Sequence, residues 1–324
     1  MLDAKPDATA LLRVHGLNKH FPTPKGTVRA VSDISFEIPR GSITGLVGES
    51  GSGKTTLGRT LLRLVEPTSG RTEFDGDDIN EMDQRSLREL RRRAQIIFQD
   101  PVSSLNPRMR VGQIIGEGLV AHRIGTRGER DARIAALLSE VGLAADAASR
   151  YPHEFSGGQR QRIGIARALA LDPEFILADE CVSALDVSIQ AQILNLLLDL
   201  RETRDLTMLF IAHDLSVVEY LCDQIIVMYL GRIVEIGPAR EVYHAPRHPY
   251  TQALISAIPE PDPRAKRDRQ VLSDDIPSPL DPPSGCVFRT RCPIADAACA
   301  ATLPGPVAVG PSHHSYCLKS EETA

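Results

Sequence analysis

The stretch Ser42-Ile43-Thr44-Gly45-Leu46-Val47-Gly48-Glu49-Ser50-Gly51-Ser52-Gly53-Lys54-Thr55-Thr56 decides the fold. Ser42 to Val47 is a short apolar run, a glycine-rich turn follows at once, and a helical pattern starts at Lys54. That order predicts strand, loop and helix in series. Gly48 to Thr55 fits the pattern Gly-x-x-x-x-Gly-Lys-Ser/Thr, in which glycines let backbone N–H groups converge on phosphate oxygens and the helix N-terminus adds a favourable dipole. Ser50, Gly51 and Gly53 would line such a cradle, with Thr56 beside it. Lys54 would neutralise the β- and γ-phosphates of a nucleotide, and the Thr55 hydroxyl would hold Mg²⁺. Taken alone, the loop admits GTPases, kinases and many ATPases, and a ligand-free glycine turn is its bland alternative.

Upstream, Leu11 to Val14 and Val28 to Ile38 alternate apolar residues between turn signals and read as strands. Downstream, the helical period dominates from Met82 to Ala148, a helical insertion with a proline-containing stretch near Pro101 and Pro107. Strand character returns at Phe175 to Ala178, Met208 to Ala212 and Gln224 to Tyr229. Between the first two of these, Ile189, Ile193, Leu196, Leu197 and Leu200 recur at helical spacing. Strands alternating with helices predict an α/β fold with a parallel sheet covered on both faces. After about Pro246 prolines and cysteines crowd the chain and periodicity fades, which predicts a separate, loop-rich appendage.

Composition narrows the class. Hydrophobic residues make up 42% and charged residues 24%, ordinary for a folded globular chain. The formal net charge of -5 offers no global basic field for nucleic acid, and Arg91-Arg92-Arg93 reads as a solvated helix face. No run approaches the roughly 18 uninterrupted apolar residues of a membrane-spanning helix; the most apolar, Ile193 to Leu200, is broken by Asn195 and Asp199. Met1-Leu2-Asp3-Ala4-Lys5-Pro6 lacks the layout of a secretory signal. A cytosolic location is therefore expected, where clustered cysteines are metal ligands more often than disulfides.

Phe175-Ile176-Leu177-Ala178-Asp179-Glu180 is an apolar strand ending in two carboxylates. Adjacent acids there suit a division of labour, Asp179 in the Mg²⁺ shell and Glu180 polarising the attacking water. Upstream, Phe155-Ser156-Gly157-Gly158-Gln159 with Arg160-Gln161-Arg162 resembles the signature segment of ABC ATPases, with Phe155 where leucine is commoner. The resemblance covers roughly residues 11 to 245 and implies the P-loop NTPase fold of that family: an N-terminal antiparallel β subdomain, a helical subdomain at about 82–160, and an extension over 246–324. Gln99 resembles the family's glutamine loop, which senses Mg²⁺ and contacts the membrane partner. Ser183-Ala184-Leu185-Asp186 resembles the loop that crosses between two ATPase subunits, and His213 the switch histidine on the γ-phosphate. Phe21 sits where the family places an aromatic ring on adenine. Cys181 departs from the pattern, standing where proline is common.

The resemblance also implies a head-to-tail dimer in which Ser156 and Gly158 complete the partner's ATP site. Phe98-Gln99-Asp100-Pro101, Ser104 to Met109 and Val182 to Gln192 are similar to the second ATPase subunit of oligopeptide/dipeptide importers, and His248-Pro249-Tyr250-Thr251-Gln252-Ala253-Leu254 with Ile258-Pro259 to the start of their C-terminal extension. Expected partners are a different second ATPase chain, two membrane permeases and an extracytoplasmic binding protein, with the chain held on the cytoplasmic side of the membrane; nucleic acid is not expected. Nickel importers share much of this pattern and stay the alternative. So does a soluble ABC ATPase of DNA repair or translation, although the long coiled coil of the one and the doubled cassette of the other are missing. An inactive regulatory subunit conflicts with the complete motif set. In the tail, Cys286, Cys292, Cys299 and Cys317 suit a metal site, because loops without an apolar core gain from such a staple. Similar tails carry an iron–sulfur group, which implies a 4Fe–4S cluster; unligated thiols or zinc are the alternatives. Cys222 reads as core.

Overall fold

The protein is described by a computed structural model covering residues 10–100, 103–258, 272 and 275–320. Pro101 and Pro259, both used in the sequence reading, lie outside the described residues. The chain opens with a long hairpin, β1 (Ala10–Thr23) and β2 (Gly26–Pro39), then β3 (Ile43–Val47) and α1 (Lys54–Leu61). β4 (Ser69–Phe74) and β5 (Asp77–Asp78) precede α2 (Gln84–Arg93), β6 (Ala94–Ile97), α3 (Val111–Ala121) and α4 (Arg127–Glu140). Next come α5 (Gly157–Leu169), β7 (Phe175–Asp179), α6 (Val187–Arg204), β8 (Thr207–Ile211), α7 (Leu215–Leu221), β9 (Gln224–Tyr229) and β10 (Arg232–Pro238). The C-terminal part holds α8 (Ala239–His244), α9 (Pro249–Ser256), α10 (Ala297–Ala301), β11 (Val307–Gly310) and β12 (His313–Ser315).

These elements form two compact units. One comprises residues 1–39, 43–80 and 210–324, the other 40–42 and 81–209. In the first, β1 pairs antiparallel with β2 and with β4, Val14 opposite both Phe36 and Thr72. Leu12, Leu17, Ile34 and Ile38 are fully buried, so alternation along the hairpin seats one face on the core. β3 runs parallel to β9, Thr44 through Val47 opposite Gln224 through Val227. Ile225, Ile226, Val227 and Met228 of β9 are all fully buried, the continuous apolar run that a sheet covered on both faces requires. In the second unit, β6 runs parallel to β7 from Ala94 opposite Phe175 to Ile97 opposite Ala178.

The tail departs from the expectation of a separate appendage. β12 pairs antiparallel with β10, Glu235 opposite Ser315, and β11 pairs with β12, so the extension lengthens a sheet of the first unit. Phe288, fully buried, meets Tyr229 at 5.3 Å and Tyr250 at 5.3 Å between ring centroids. The tail thus shares an apolar core with the cassette. Periodicity was faint there because β11 and β12 are short and the interior is aromatic rather than patterned. A second fixture is polar: Glu235 accepts from the N–H groups of Arg247 (2.7 Å) and His248 (2.9 Å) and pairs with His313 Nε2 at 2.8 Å. Glu235 and His313 are both buried, where an unpaired carboxylate would be costly.

Candidate functional site

In the first unit, the loop between β3 and α1 curls into a cradle. Gly53, the residue before α1, has φ 101, and a Cβ there would lie 2.1 Å from the Ala30 carbonyl oxygen. Both the left-handed backbone and the close approach demand glycine. Lys54 is buried, and its ammonium donates to the carbonyls of Gly48 (2.8 Å) and Glu49 (3.1 Å). Ser50 and Gly51 face solvent. Lys54, Thr55 and Thr56 begin the helix, whose first N–H groups lack intrahelical acceptors, the arrangement that favours an anion. The buried Ser52 hydroxyl has no hydrogen-bond partner among the described residues. Phe21, near the end of β1, is 37% exposed, with the Lys19 ammonium 4.7 Å above its ring. His213 is exposed just after β8, and Asp214 beside it caps α7 by accepting from Ser216 N–H at 2.9 Å.

The second unit carries the acids. β7 is buried throughout and ends at Asp179, 1% exposed. Glu180 follows with φ 47, a left-handed backbone immediately after the strand end. Gln99 Nε2 donates to Glu180 Oε2 at 2.6 Å, so two residues 81 apart in sequence meet. Ser183 N–H and hydroxyl both donate to the Glu180 carbonyl (3.2 and 2.9 Å), and Gln190 Nε2 donates to Val182 and Leu185 carbonyls at 3.0 Å each. This net shapes the loop that leads to Asp186, which precedes α6 without a side-chain cap. Cys181 is packed inside, and burial pushes its thiol up to about 12, so it sits there as an inert small hydrophobe.

Ser156 and Gln159 form a capping box at the start of α5: Gln159 N–H donates to Ser156 Oγ (3.3 Å), and Ser156 N–H to Gln159 Oε1 (3.0 Å). Gly157 and Gly158 follow as the first residues of the helix. A Cβ on Gly158 would lie 2.5 Å from Ile189 Cγ2, which is why the helix start admits no side chain there. Two contributors escaped the sequence reading. Arg167 donates to the Ser104 carbonyl at 2.6 Å and stands 5.5 Å from the Phe98 ring, tying α5 to the segment that holds Gln99. Gln190 is the other, and no signal short of its contacts distinguishes it from a helix-surface glutamine.

For the four tail cysteines the expectation is corrected in part. The thiols stand near enough to disfavour one another's ionisation, and Lys319 N–H points at Cys317 Sγ at 3.4 Å. Burial raises Cys292 and Cys317 and pushes Cys286 up to about 11. The donor types and aimed amides suit a metal–sulfur group. Yet among the described residues no three His, Cys, Asp or Glu side chains converge closely enough to hold a metal ion.

Residues 31–183 match the family described as ABC transporter, and residues 234–299 match the oligopeptide/dipeptide transporter C-terminal region. A protein of Brucella ovis named as a peptide import ATP-binding protein is 59% identical over 311 residues, covering 96% of this chain and 98% of its own length. The oligopeptide transport ATP-binding protein AppF of Bacillus subtilis is 49% identical, covering 95% and 96%. Among solved structures, CbiO1 of Clostridium perfringens, part of the ABC transporter complex cbiONQ, superposes with a TM-score of 0.66 at 29% identity, covering 73% of this chain and 91% of its own. MJ0796, a bacterial ABC transporter cassette solved as a dimer, gives 0.65 at 29% identity, covering 71% and 99%. Fold and motifs thus define an ABC-type ATPase. The chain belongs to the ABC transporter ATP-binding proteins that carry the oligopeptide/dipeptide transporter C-terminal region.

Proposed function

We propose that this chain hydrolyses ATP to drive import of di- and oligopeptides, acting with membrane permeases. The observation that carries the substrate class is the joint match to the cassette and to the oligopeptide/dipeptide C-terminal region, in a chain that spans nearly the full length of relatives named for peptide import. Among the described residues no helix is long and apolar enough to cross a membrane, in keeping with peripheral attachment to permease partners on the cytoplasmic face. A different second ATPase chain and an extracytoplasmic binding protein complete the proposed assembly.

The site residues take these proposed roles. Ser50, Gly51 and Gly53 offer amides to the phosphates, Lys54 neutralises them, and Thr56 extends the helix start. Phe21 stacks on adenine. Thr55, Gln99 and Asp179 would hold Mg²⁺, which when bound neutralises charge on the phosphate oxygens. Glu180 orients and deprotonates the attacking water, and His213 touches the terminal phosphate. Ser156, Gly157, Gly158, Gln159 and Asp186 act on the nucleotide of the partner cassette; Val187, an aliphatic residue 81% exposed beside Asp186, supports a covered surface there. Deleting the gene in its host is expected to abolish growth of an amino-acid auxotroph on a short peptide, with free amino acid restoring it. Intact peptide use together with lost nickel accumulation would overturn the peptide reading.

For Cys286, Cys292, Cys299 and Cys317 the proposal is a 4Fe–4S cluster, supported by the donor chemistry of four cysteines in one extension and by the Lys319 N–H aimed at Cys317 Sγ; among the described residues the thiols do not converge on a common point, so the cluster would have to draw them together. Anaerobically purified full-length chain is expected to be brown, with close to four iron and four sulfide per chain, the stoichiometry of such a cluster. A colourless, iron-free chain removes the cluster and leaves the ATPase reading untouched.

A further inference from the structure

Glu49 occupies a position that the phosphate-loop pattern leaves open to any residue, yet every polar group it owns is engaged. Its N–H donates to the Tyr250 hydroxyl oxygen at 2.8 Å. Its carbonyl accepts from Ser52 N–H at 3.2 Å and from the Lys54 ammonium at 3.1 Å. Its carboxylate is gripped by Arg291, Nη1 to Oε2 at 2.7 Å and Nη2 to Oε1 at 3.2 Å. Two of these partners, Tyr250 and Arg291, come from the C-terminal extension, more than two hundred residues downstream, |i−j| being 201 and 242.

Both partners are themselves held. Tyr250 is fully buried at the start of α9, and its N–H donates to His248 Nδ1 at 3.1 Å. Burial lowers His248 to about 4, so that nitrogen stays a neutral acceptor. The Tyr250 ring packs on Tyr229 (centroids 4.8 Å) and on Phe288, three residues before Arg291. Arg291 N–H closes a turn on the Phe288 carbonyl at 3.0 Å, and its side chain is only 7% exposed. A bidentate guanidinium–carboxylate pair at low exposure is among the stronger polar contacts and is geometrically selective. Solvent screening takes little from this one.

We propose that Arg291 is a positioning residue of the nucleotide site: through Glu49, with Tyr250, it sets the turn of the phosphate loop and thereby the reach of Lys54 and the loop amides toward ATP. The extension is then a structural part of the nucleotide site. It is not an accessory hung behind it. The inference rests on the reading of Gly48 to Thr55 as the ATP cradle. Loop amides bind phosphate well only when pre-oriented, because ordering a free loop subtracts from binding. Arg291 touches no nucleotide; its effect is on affinity rather than on the hydrolytic step.

The test is a double-variant cycle on the full-length chain, with MgATP affinity measured by equilibrium titration and KM and kcat measured in the assembled transporter. Arg291→Gln is expected to weaken MgATP binding about tenfold, raising KM with kcat within twofold. Glu49→Gln should cost a similar factor, and the double variant no more than either single change. Arg291→Lys should recover part of the loss, since it restores charge without the fork. Affinity within twofold of the parent in Arg291→Gln, or a fall in kcat at constant KM, would overturn the proposal. So would losses that multiply in the double variant: damage from Arg291 through the Tyr229–Phe288 packing would persist whichever residue stands at 49. Failure of the parent chain to bind MgATP would instead sink the ATP cradle itself.

Discussion

Glu180→Gln is expected to keep MgATP binding within a few-fold of the parent and to bring turnover in the assembled transporter below a tenth of it. The substitution is nearly isosteric. The left-handed backbone at φ 47 and the Ser183 contacts to the residue 180 carbonyl are main-chain features that survive it. Gln99 Nε2, now 2.6 Å from the carboxylate, finds an amide oxygen in the same place. What is lost is the capacity to accept a proton from water, and removing a general base costs about 10²- to 10⁴-fold. The Gln99 contact adds a condition: the glutamine must release Glu180, or shift, before a water takes its place. Turnover above a tenth of the parent would remove Glu180 from that role. Trapped, nucleotide-bound complexes would support it.

The second large effect is at Lys54. Lys54→Ala is expected to weaken MgATP binding by about 100-fold or more, read by the same titration, since hydrogen bonds from charged donors contribute about 1.5–3 kcal/mol each and the ammonium serves more than one phosphate oxygen. The ligand-free fold should change little. The Glu49 carbonyl keeps the Ser52 N–H, and the Gly48 carbonyl loses its buried 2.8 Å donor, a local cost of about 1–3 kcal/mol. A dissociation constant within fivefold of the parent would show that Lys54 serves the loop's own carbonyls alone.

Much of this architecture was legible in sequence, and for identifiable reasons. The strand Gln224–Tyr229 is an apolar run because both faces are covered, and a covered strand announces itself. The helix Val187–Arg204 shows its period because one face meets the core at Ile193, Leu197 and Leu200. β4, β10, β11 and β12 escaped: β4 is half-exposed and polar, and β11 and β12 are too short to establish alternation. The tail was expected to need a staple because it lacked a patterned core, but a core built from Tyr229, Tyr250 and Phe288 has no period to read.

The candidate site divides the same way. Gly53 and Gly158 stand in motifs because backbone approach at 2.1 Å and side-chain approach at 2.5 Å tolerate no Cβ, a constraint that residue type records directly. Glu49 and Arg167 work through partners far away in the chain, and Gln190 through main-chain carbonyls of the loop just before it; residue type sets none of them apart.

Residue identity and local spacing alone determined the phosphate loop, the acid-ended strand, the capped signature helix and the order in which they occur, because each is a short-range demand of backbone geometry and hydrogen-bonding groups. Tertiary structure decided what only distant chain segments can arrange: Gln99 on Glu180, Arg167 under the glutamine segment, and the C-terminal extension drawn onto Glu49 by Tyr250 and Arg291. The path of the folded chain, not adjacency in sequence, joins those groups, since each contact spans more than sixty residues.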